Sequence, residues 1–325
     1  MREITYLKAL NEALHEEMAR DLDVFIMGED IGLGKGTLGV TEGLRAKFGP
    51  QRVRNSPISE QALVGAALGA AITGCRPIVE LMFIDLLGIC LDQVANQVAK
   101  VHYMSGGKAR AALVIRTQSG VGLGLAAQHS QSLEAWVAHI PGLVVVAPST
   151  PFDAKGLLKT AIRDDNPVFF IEHKRLYAIK GPVPDREYLT PLGVADIKRP
   201  GRDVTIVATS YQVHNALAAA AELAKEGIEA EVADPRTLNP LDVDTLAESA
   251  RRTHRVVVVN EGCRTGGYAA EVAATLGEIV FDSLEAPIVR VAAEDAPIPA
   301  NMRLEKEVVP QVGDIIAAVR RVMGR

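Results

Sequence analysis

The chain has 325 residues, a formal net charge of −5 and a hydrophobic content of 48%. This length favours two domains, and the composition is typical of a folded globular protein rather than a disordered one. The acidic charge balance excludes a basic footprint for nucleic acid, and no run of about 18 apolar residues predicts a membrane span.

The spacing of the cysteines and the N-terminal sequence indicate the cellular compartment of the protein. The three cysteines are widely separated and form no Cys-x-x-Cys pair, so neither a zinc site nor a disulfide framework is expected. The first residues lead into an amphipathic helix and lack the apolar core of a signal peptide. These features favour a reducing, cytoplasmic compartment.

Strand and helix patterns alternate over the first 175 residues. Helical apolar spacing covers residues 5–21, and Ser59 is expected to cap a helix that runs from Glu60 to about Ile72. The other predicted elements of this part are strands over 24–27, 77–83, 112–117, 143–147 and 167–172, and helices over 86–101 and 152–163.

A stretch rich in Pro, Gly and charge, from about 177 to 202, predicts a linker with some structure of its own. The alternation restarts after it. Strands are predicted over 203–208, 229–233, 255–259 and 288–292, and helices near 212–226, 241–251, 267–277 and from Pro310 to about 322. The fold class is therefore α/β, with doubly wound parallel sheets in a first domain over 1–190, a linker to about 202 and a second domain over 203–325.

Glu60 is the first candidate for chemistry, because it follows a loop and opens a helix whose next turns are mostly Ala and Gly. Taken alone, an acid in a first helical turn is a structural residue stabilised by the helix dipole by about 0.3–1 kcal/mol. The small residues of this helix allow another surface to pack closely against it.

His129 lies where a Gly-rich loop, Ser119 to Leu125, leads into Gln128-His129-Ser130-Gln131. An imidazole at such a junction can reach a ligand, but it can equally serve as a structural hydrogen-bonding residue. The run Gly122-x-Gly124-x-x-Ala127 in this loop is only a weak match to a dinucleotide fingerprint, because no second strand ending in an acid follows at the expected distance.

Two further polar clusters are candidates. Asp92 and Asn96 share one helical face, which indicates a buried network or a subunit contact. The segment from Ala161 to Asn166 ends a helix, where free carbonyl oxygens and the side chains of Asp164 and Asn166 suit either a hard cation or a simple C-capping turn.

The ordered set of motifs resembles the β subunits of the decarboxylating component of 2-oxo acid dehydrogenase complexes, members of the transketolase-like superfamily. The resemblance covers essentially the whole chain. Its matching segments are Gly28-Glu29-Asp30, Ile58-Ser59-Glu60, Asp92-Gln93, Tyr103-Met104-Ser105-Gly106-Gly107, Ala127-Gln128-His129-Ser130-Gln131, Asp153-Ala154-Lys155-Gly156 and Arg163-Asp164-Asp165-Asn166-Pro167.

The resemblance implies a first domain that binds the pyrimidine of thiamine diphosphate and a second domain like the C-terminal domain of transketolases. Glu60 matches the glutamate that hydrogen-bonds the pyrimidine ring nitrogen and so promotes formation of the thiazolium ylid. Glu29 matches a loop near the cofactor, and His129 matches a histidine that handles protons near the substrate and the incoming lipoyl group. Leu86 stands where family members often carry an aromatic residue near the cofactor.

The resemblance also implies a structural potassium site, held largely by carbonyl oxygens. Its implied ligands are Leu113, Ala161, Ile162, Asp164 and Asn166.

Thiamine-diphosphate enzymes usually hold Mg²⁺ and the diphosphate with a Gly-Asp-Gly motif, and this sequence contains none. The diphosphate half of the site, with its Mg²⁺, is therefore expected from an α subunit, in a heterotetramer of two α and two β chains. A lipoylated acyltransferase is the expected second partner, and its docking surface is expected on the second domain.

The segment from Asp85 to Gln93 looks most similar to acetoin dehydrogenase β subunits, while pyruvate and branched-chain 2-oxo acids stay open as substrates. Two other functions are possible alternatives. A stand-alone transketolase-like synthase is disfavoured by the short length and the missing diphosphate motif. A non-catalytic scaffold for the acyltransferase core is disfavoured because it would need neither Glu60 nor His129.

Overall fold

The computed structural model describes residues 1–32, 34 and 36–324, and the chain divides into two compact α/β units. The first unit comprises Met1–Ser119 and Trp136–Leu192, and the second comprises Gly120–Ala135 and Gly193–Arg325. The loop that carries His129 therefore groups with the second unit, although it lies between two stretches of the first in the sequence.

The part of the chain up to Leu192 is built from strands that alternate with helices, as predicted. These elements are β1 (Arg2–Thr5), α1 (Tyr6–Arg20), β2 (Val24–Glu29), α2 (Leu44–Phe48), β3 (Val53–Ser56), α3 (Glu60–Ile72), β4 (Arg76–Phe83), α4 (Leu87–Asp92), α5 (Val101–Met104), β5 (Val114–Ser119), α6 (Glu134–Ala138), β6 (Val144–Val146), α7 (Pro151–Arg163), β7 (Val168–His173) and β8 (Lys180–Val183).

The central sheet of the first unit has its strands in the order β6-β7-β5-β4-β2-β3, and every one of these pairs is parallel. Strands such as β7 are buried along their whole length, as expected for a parallel sheet covered by helices. Helix α1 packs on α7, and the lysines of α7 pair with the glutamates of α1, so that Lys155 Nζ lies 3.0 Å from Glu12 Oε2.

The second unit repeats the alternation. Its elements are β9 (Asp196–Arg199), β10 (Val204–Ala208), α8 (Gln212–Ala224), β11 (Ala230–Asp234), β12 (Thr237–Asn239), α9 (Val243–Thr253), β13 (Val256–Cys263), α10 (Tyr268–Val280), β14 (Val289–Ala293), α11 (Met302–Val308) and α12 (Val312–Val322).

The sheet of the second unit has the order β14-β13-β10-β11-β9, parallel except for the antiparallel edge strand β9. Aliphatic residues of β10, β11 and β13 pack against α8 and α12 to form its core. No helix in the described part of the chain is long and apolar enough to cross a membrane.

Two local predictions were wrong in detail. The helix expected over 86–101 is a 3₁₀ turn, α4 and a π-helical segment, Gln93–Val98, with α5 beginning only at Val101. The last helix begins at Val312 and not at Pro310, because Gln311 and Asp314 form a reciprocal capping box there. The prediction of Ser59 as the N-cap of α3 is confirmed, although its side chain makes no capping hydrogen bond.

Asp92 and Asn96 do interact at helical spacing, since Asn96 Nδ2 donates to Asp92 Oδ1 at 2.8 Å. Both side chains are exposed, so the interpretation as a buried network is wrong for the single chain. A subunit contact at this face stays a prediction.

Candidate functional site

Sheet topology brings three of the predicted site residues to one edge of the first unit. Glu29 ends β2, Glu60 follows β3, and Leu86 follows β4, while these strands are neighbours in the order β4-β2-β3. Because the strands are parallel, their carboxyl ends meet at the same edge, where open α/β sheets commonly bind ligands.

Glu60 is the first residue of α3 and is only 4% exposed, although it carries a carboxyl group. The helix dipole favours an acid at this place. Ser59, just before it, is extended with φ −168°. The backbone N–H of Ser59 donates a hydrogen bond to the carboxyl group of Glu29. The start of α3 therefore holds two acids side by side.

Glu29 is also buried, and its Oε1 has no hydrogen-bond partner among the residues that the structure describes. Burial raises the pKa of this carboxyl, the nearby charges of Glu60 and Asp30 raise it further, and the hydrogen bond from Ser59 opposes them. A buried oxygen without a partner costs free energy unless a ligand supplies a donor. The pair thus suits a ligand that presents N–H groups, as an aminopyrimidine does.

Cys90, which the sequence analysis did not single out, lies next to this acid pair. Burial raises the pKa of its thiol to about 12, and the charge of Glu60 adds to the effect. Its Sγ lies 4.0 Å from the carbonyl oxygen of the half-buried Leu86. The thiol is therefore protonated and unreactive at neutral pH. No motif marks Cys90, and its packing near Glu60 and Leu86 is what identifies it.

Helix α3 approaches its neighbour closely at Gly65. A Cβ atom added at Gly65 would lie 3.1 Å from Gln93 Oε1. The small residues after Glu60 therefore allow close packing, as predicted. One neighbour that packs closely against them is the π-helical segment of the same unit, which contains Gln93.

His129 lies in the part of the second unit that runs from Gly120 to Ala135. Its side chain is half-buried, and its backbone N–H bonds to the carbonyl oxygen of Ala126 at 3.5 Å. Gly122 and Gly124 adopt positive φ angles of 115° and 66°, which accounts for the glycines of this loop. A turn and not a helix follows the loop, so it lacks the context of a dinucleotide fingerprint.

The five residues implied as potassium ligands lie at the opposite edge of the first unit's sheet. Leu113 precedes β5, while the other four lie in the last turn of α7 or between α7 and β7, the neighbouring strand. The carbonyl oxygens of Ile162 and Asp164 accept hydrogen bonds from Arg76 Nη1 at 3.2 and 2.9 Å. Asp164 Oδ1 accepts from the backbone and side-chain amides of Asn166, at 2.8 and 2.9 Å.

These contacts leave each carbonyl oxygen a second lone pair for a cation. Among the described residues no cluster of three or more His, Cys, Asp or Glu side chains could hold a metal. A cation at the end of α7 would therefore depend on carbonyl oxygens, which is the donor type that the sequence analysis implied.

Two domain families match the chain. The model of the transketolase pyrimidine-binding domain matches residues 2–180, and that of the transketolase C-terminal domain matches residues 193–315. Among solved structures, a split-gene transketolase described as an inactive β4 tetramer aligns with a TM-score of 0.80 and 25% identity, covering 99% of this chain and 98% of that chain.

Several characterised relatives are similar over their whole length. The β subunit of acetoin:2,6-dichlorophenolindophenol oxidoreductase is 50% identical in Cupriavidus necator and 47% identical in Bacillus subtilis, each over 99% of this chain and 98% of the relative. The β subunit of the pyruvate dehydrogenase E1 component from Gracilaria tenuistipitata is 46% identical, over 99% of this chain and 100% of the relative. The chain therefore belongs to the family of acetoin and pyruvate dehydrogenase E1 β subunits, built from the transketolase pyrimidine-binding and C-terminal domains.

Proposed function

We propose that this chain supplies the pyrimidine half of a thiamine-diphosphate site, in a heterotetramer of two α and two β chains. The observation that carries the proposal is the buried pair of Glu29 and Glu60, which presents an unpartnered carboxyl oxygen at the carboxyl edge of a parallel sheet. The absence of Gly-Asp-Gly from the sequence supports an α partner for the diphosphate and Mg²⁺.

Bound thiamine diphosphate would supply an acidic carbon whose deprotonated form is a nucleophile for the substrate carbonyl, and a ring that can accept the electrons released on bond cleavage. Glu60 would hold a proton at the pyrimidine ring nitrogen of the bound cofactor and so increase the basicity of its exocyclic nitrogen. Glu29, buried beside it, accepts an N–H through its free oxygen. Leu86 contributes an aliphatic wall near the same edge.

His129 acts as the proton donor when the acyl group passes to a lipoyl group. Opening a cyclic disulfide forms one new bond to sulfur and releases the other sulfur as a thiolate, which must take up a proton. A histidine is the side chain best suited to supply that proton near neutral pH. Its place in a loop outside the regular elements suits a group that meets an incoming partner.

Acetoin is the proposed substrate, and 2-oxo acids such as pyruvate form the second candidate class. The two acetoin relatives are 50% and 47% identical to this chain, and the pyruvate dehydrogenase relative follows at 46%. Leu86 gives the pocket an aliphatic rather than an aromatic wall. Turnover of acetoin, pyruvate and branched-chain 2-oxo acids by the chain co-expressed with its α partner decides between the classes.

Glu60→Gln in the reconstituted α/β complex tests the catalytic role. Gln keeps the shape and a hydrogen bond but cannot share its proton with the ring nitrogen, so we expect turnover to fall by about 10²–10⁴-fold, the range that a positioned acid–base group contributes. The matched control is Asp244→Asn, which changes an exposed acid in the first turn of α9. Unchanged turnover of Glu60→Gln would support the scaffold function instead.

Three finer elements belong to the same proposal. A lipoylated acyltransferase docks on the second unit, K⁺ binds beside Arg76 at the end of α7, and the complex works in the cytoplasm. Thermal unfolding of the chain in KCl, compared with NaCl and choline chloride at equal ionic strength, tests the cation, since a ligand that binds only the folded state raises the midpoint. Equal midpoints in the three salts would remove potassium from the proposal.

A further inference from the structure

Helix α11 of the second unit buries a charge instead of an apolar residue. Among its seven residues, all of which the structure describes, only Glu305 is buried. Met302 and Leu304, its large apolar residues, are 53% and 56% exposed. Burying a carboxylate is costly unless it is paired or hydrogen-bonded. The helix must therefore present Glu305 to a particular donor.

That donor is the loop that carries His129. Glu305 Oε1 accepts the backbone N–H of Gly122 at 3.0 Å. The preceding N–H, that of Val121, donates to Oε1 of the buried Glu261 on β13 at 2.9 Å. Two carboxylates from two separate elements thus bind two consecutive amides of one loop. Charge-assisted hydrogen bonds of this kind are stronger than neutral ones.

The geometry of the loop makes these anchors effective. The N–H of Gly120 donates to the carbonyl oxygen of Gln131 at 3.0 Å, so the ends of the segment that contains His129 are tied together. A Cβ atom at Gly124 would lie 3.2 Å from the carbonyl oxygen of Ala300, so the loop also packs tightly against the residues just before α11. Movement of α11 would therefore move the loop.

We propose that Glu305 and Glu261 are positioning residues for His129, fixing the backbone of its loop through the amides of Gly122 and Val121. This inference rests on the role of His129 proposed above. Neither glutamate touches substrate; each acts through the loop. Glu305 is the better residue to test, because Glu261 also accepts a hydrogen bond from Gln212 Nε2 at 3.1 Å.

The experiment compares two activities of the reconstituted α/β complex, lipoyl-linked turnover and reduction of 2,6-dichlorophenolindophenol. Dye reduction needs no proton delivered to a departing sulfur, so loss of His129 function lowers the lipoyl-linked rate far more. For Glu305→Leu we expect the ratio of lipoyl-linked to dye-linked rate to fall by about tenfold to a hundredfold, since misplacement of a group by about 1 Å can cost 10²-fold.

Conservative variants separate positioning from simple packing. Glu305→Gln keeps an acceptor oxygen and should retain the ratio within about threefold, because it still accepts the amide of Gly122. Glu305→Asp keeps the charge but is one methylene shorter, so it should lower the ratio; it also serves if Glu305→Leu fails to fold. Glu307→Leu, at an exposed position of the same helix, is the matched control and should leave both rates unchanged.

His129→Ala separates this inference from the function on which it rests. If His129→Ala lowers the ratio and the double variant with Glu305→Leu lowers it no further, positioning is supported. If His129→Ala keeps a normal ratio, the proposed role of His129 fails, and the positioning role fails with it. If His129→Ala lowers the ratio while Glu305→Leu and Glu305→Asp do not, only the positioning role is overturned.

Discussion

Buried carboxyl groups in this chain differ in whether their oxygens have partners. Glu172 and Glu80 are paired, because the buried Arg116 lies on the strand between theirs and donates to Glu172 Oε1 at 2.7 Å and to Glu80 Oε2 at 2.6 Å. Such a network is structural, and losing one member would leave an unpaired buried charge. Glu29 and Glu134 each keep a buried oxygen without a partner among the described residues. Their environments disfavour the charged form instead.

Glu134 yields a prediction about pH and stability. Burial raises the pKa of this carboxyl from 4.5 to about 7, and the nearby charge of Glu261 on β13 adds to the effect. Because the pKa is raised in the folded state, the stabilising contribution is complete below about pH 4.5 and is lost as the pH rises through 7. Gln is neutral throughout, so Glu134→Gln should match the parent near pH 4.5 and exceed its stability at pH 8 by about 3 kcal/mol.

Thermal unfolding of the full chain between pH 4.5 and 8.5 measures this difference. Glu248→Gln, at an exposed position on α9, is the control and should follow the parent at every pH. A constant offset between Glu134→Gln and the parent across this range would show that Glu134 does not titrate as described.

At the scale of elements, α3 was predicted well because its signals are local. Glu60 opens the helix, and the alanines and leucines that follow favour helix as far as Ile72. Helix α11 was not predicted, because its residues, Met302–Val308, show no apolar periodicity. Its buried position is occupied by Glu305, and the reason lies in an amide about 180 residues away in the sequence. The π-helical segment was missed for a related reason, since helical spacing alone does not distinguish α from π geometry.

The exposed small residues of helix α3 also predict a subunit contact. It is hydrophobic on all sides, yet Ala62, Ala66 and Gly69 are exposed in the single chain. Ala66→Leu should leave the folded chain intact but weaken assembly with the α chain by about tenfold to a hundredfold, because overpacking an interface costs about 1–3 kcal/mol. Size-exclusion chromatography with light scattering at several protein concentrations measures the assembly.

Ala218→Leu provides the comparison for that experiment. Ala218 is an exposed alanine on α8 of the second unit, and its replacement should leave the assembly unaffected. If both variants assemble like the parent chain, the exposed face of α3 is not a subunit contact.

At the scale of the whole molecule, the proposal that the chain supplies one half of a cofactor site makes a prediction about cofactor binding. The split-gene transketolase to which the chain is similar is described as an inactive β4 tetramer. We expect thiamine diphosphate with Mg²⁺ to leave the unfolding midpoint of the isolated chain unchanged. In the α/β complex, the cofactor at a hundred times its dissociation constant should stabilise the folded state by about 3 kcal/mol.

Differential scanning calorimetry of both samples, with and without the cofactor, checks this expectation. A chelator that removes Mg²⁺ should abolish the stabilisation of the complex while leaving the isolated chain as it was. Tight binding of the cofactor by the isolated chain, together with turnover, would contradict the half-site and favour a stand-alone synthase.

The sequence alone determined the α/β class, the bounds of most strands and helices, and the motifs around Glu29, Glu60 and His129, because periodicity, capping and turn residues act over a few positions. The tertiary structure decided which of these residues meet. Parallel pairing of β4, β2 and β3 brought Glu29, Glu60 and Leu86 to one edge and left the predicted potassium ligands at the other. The tertiary structure also assigned the His129 loop to the second unit, where Glu261 and Glu305 accept hydrogen bonds from the backbone of this loop. Contacts between residues so distant in sequence depend on how strands order themselves in a sheet, and local patterns do not encode that order.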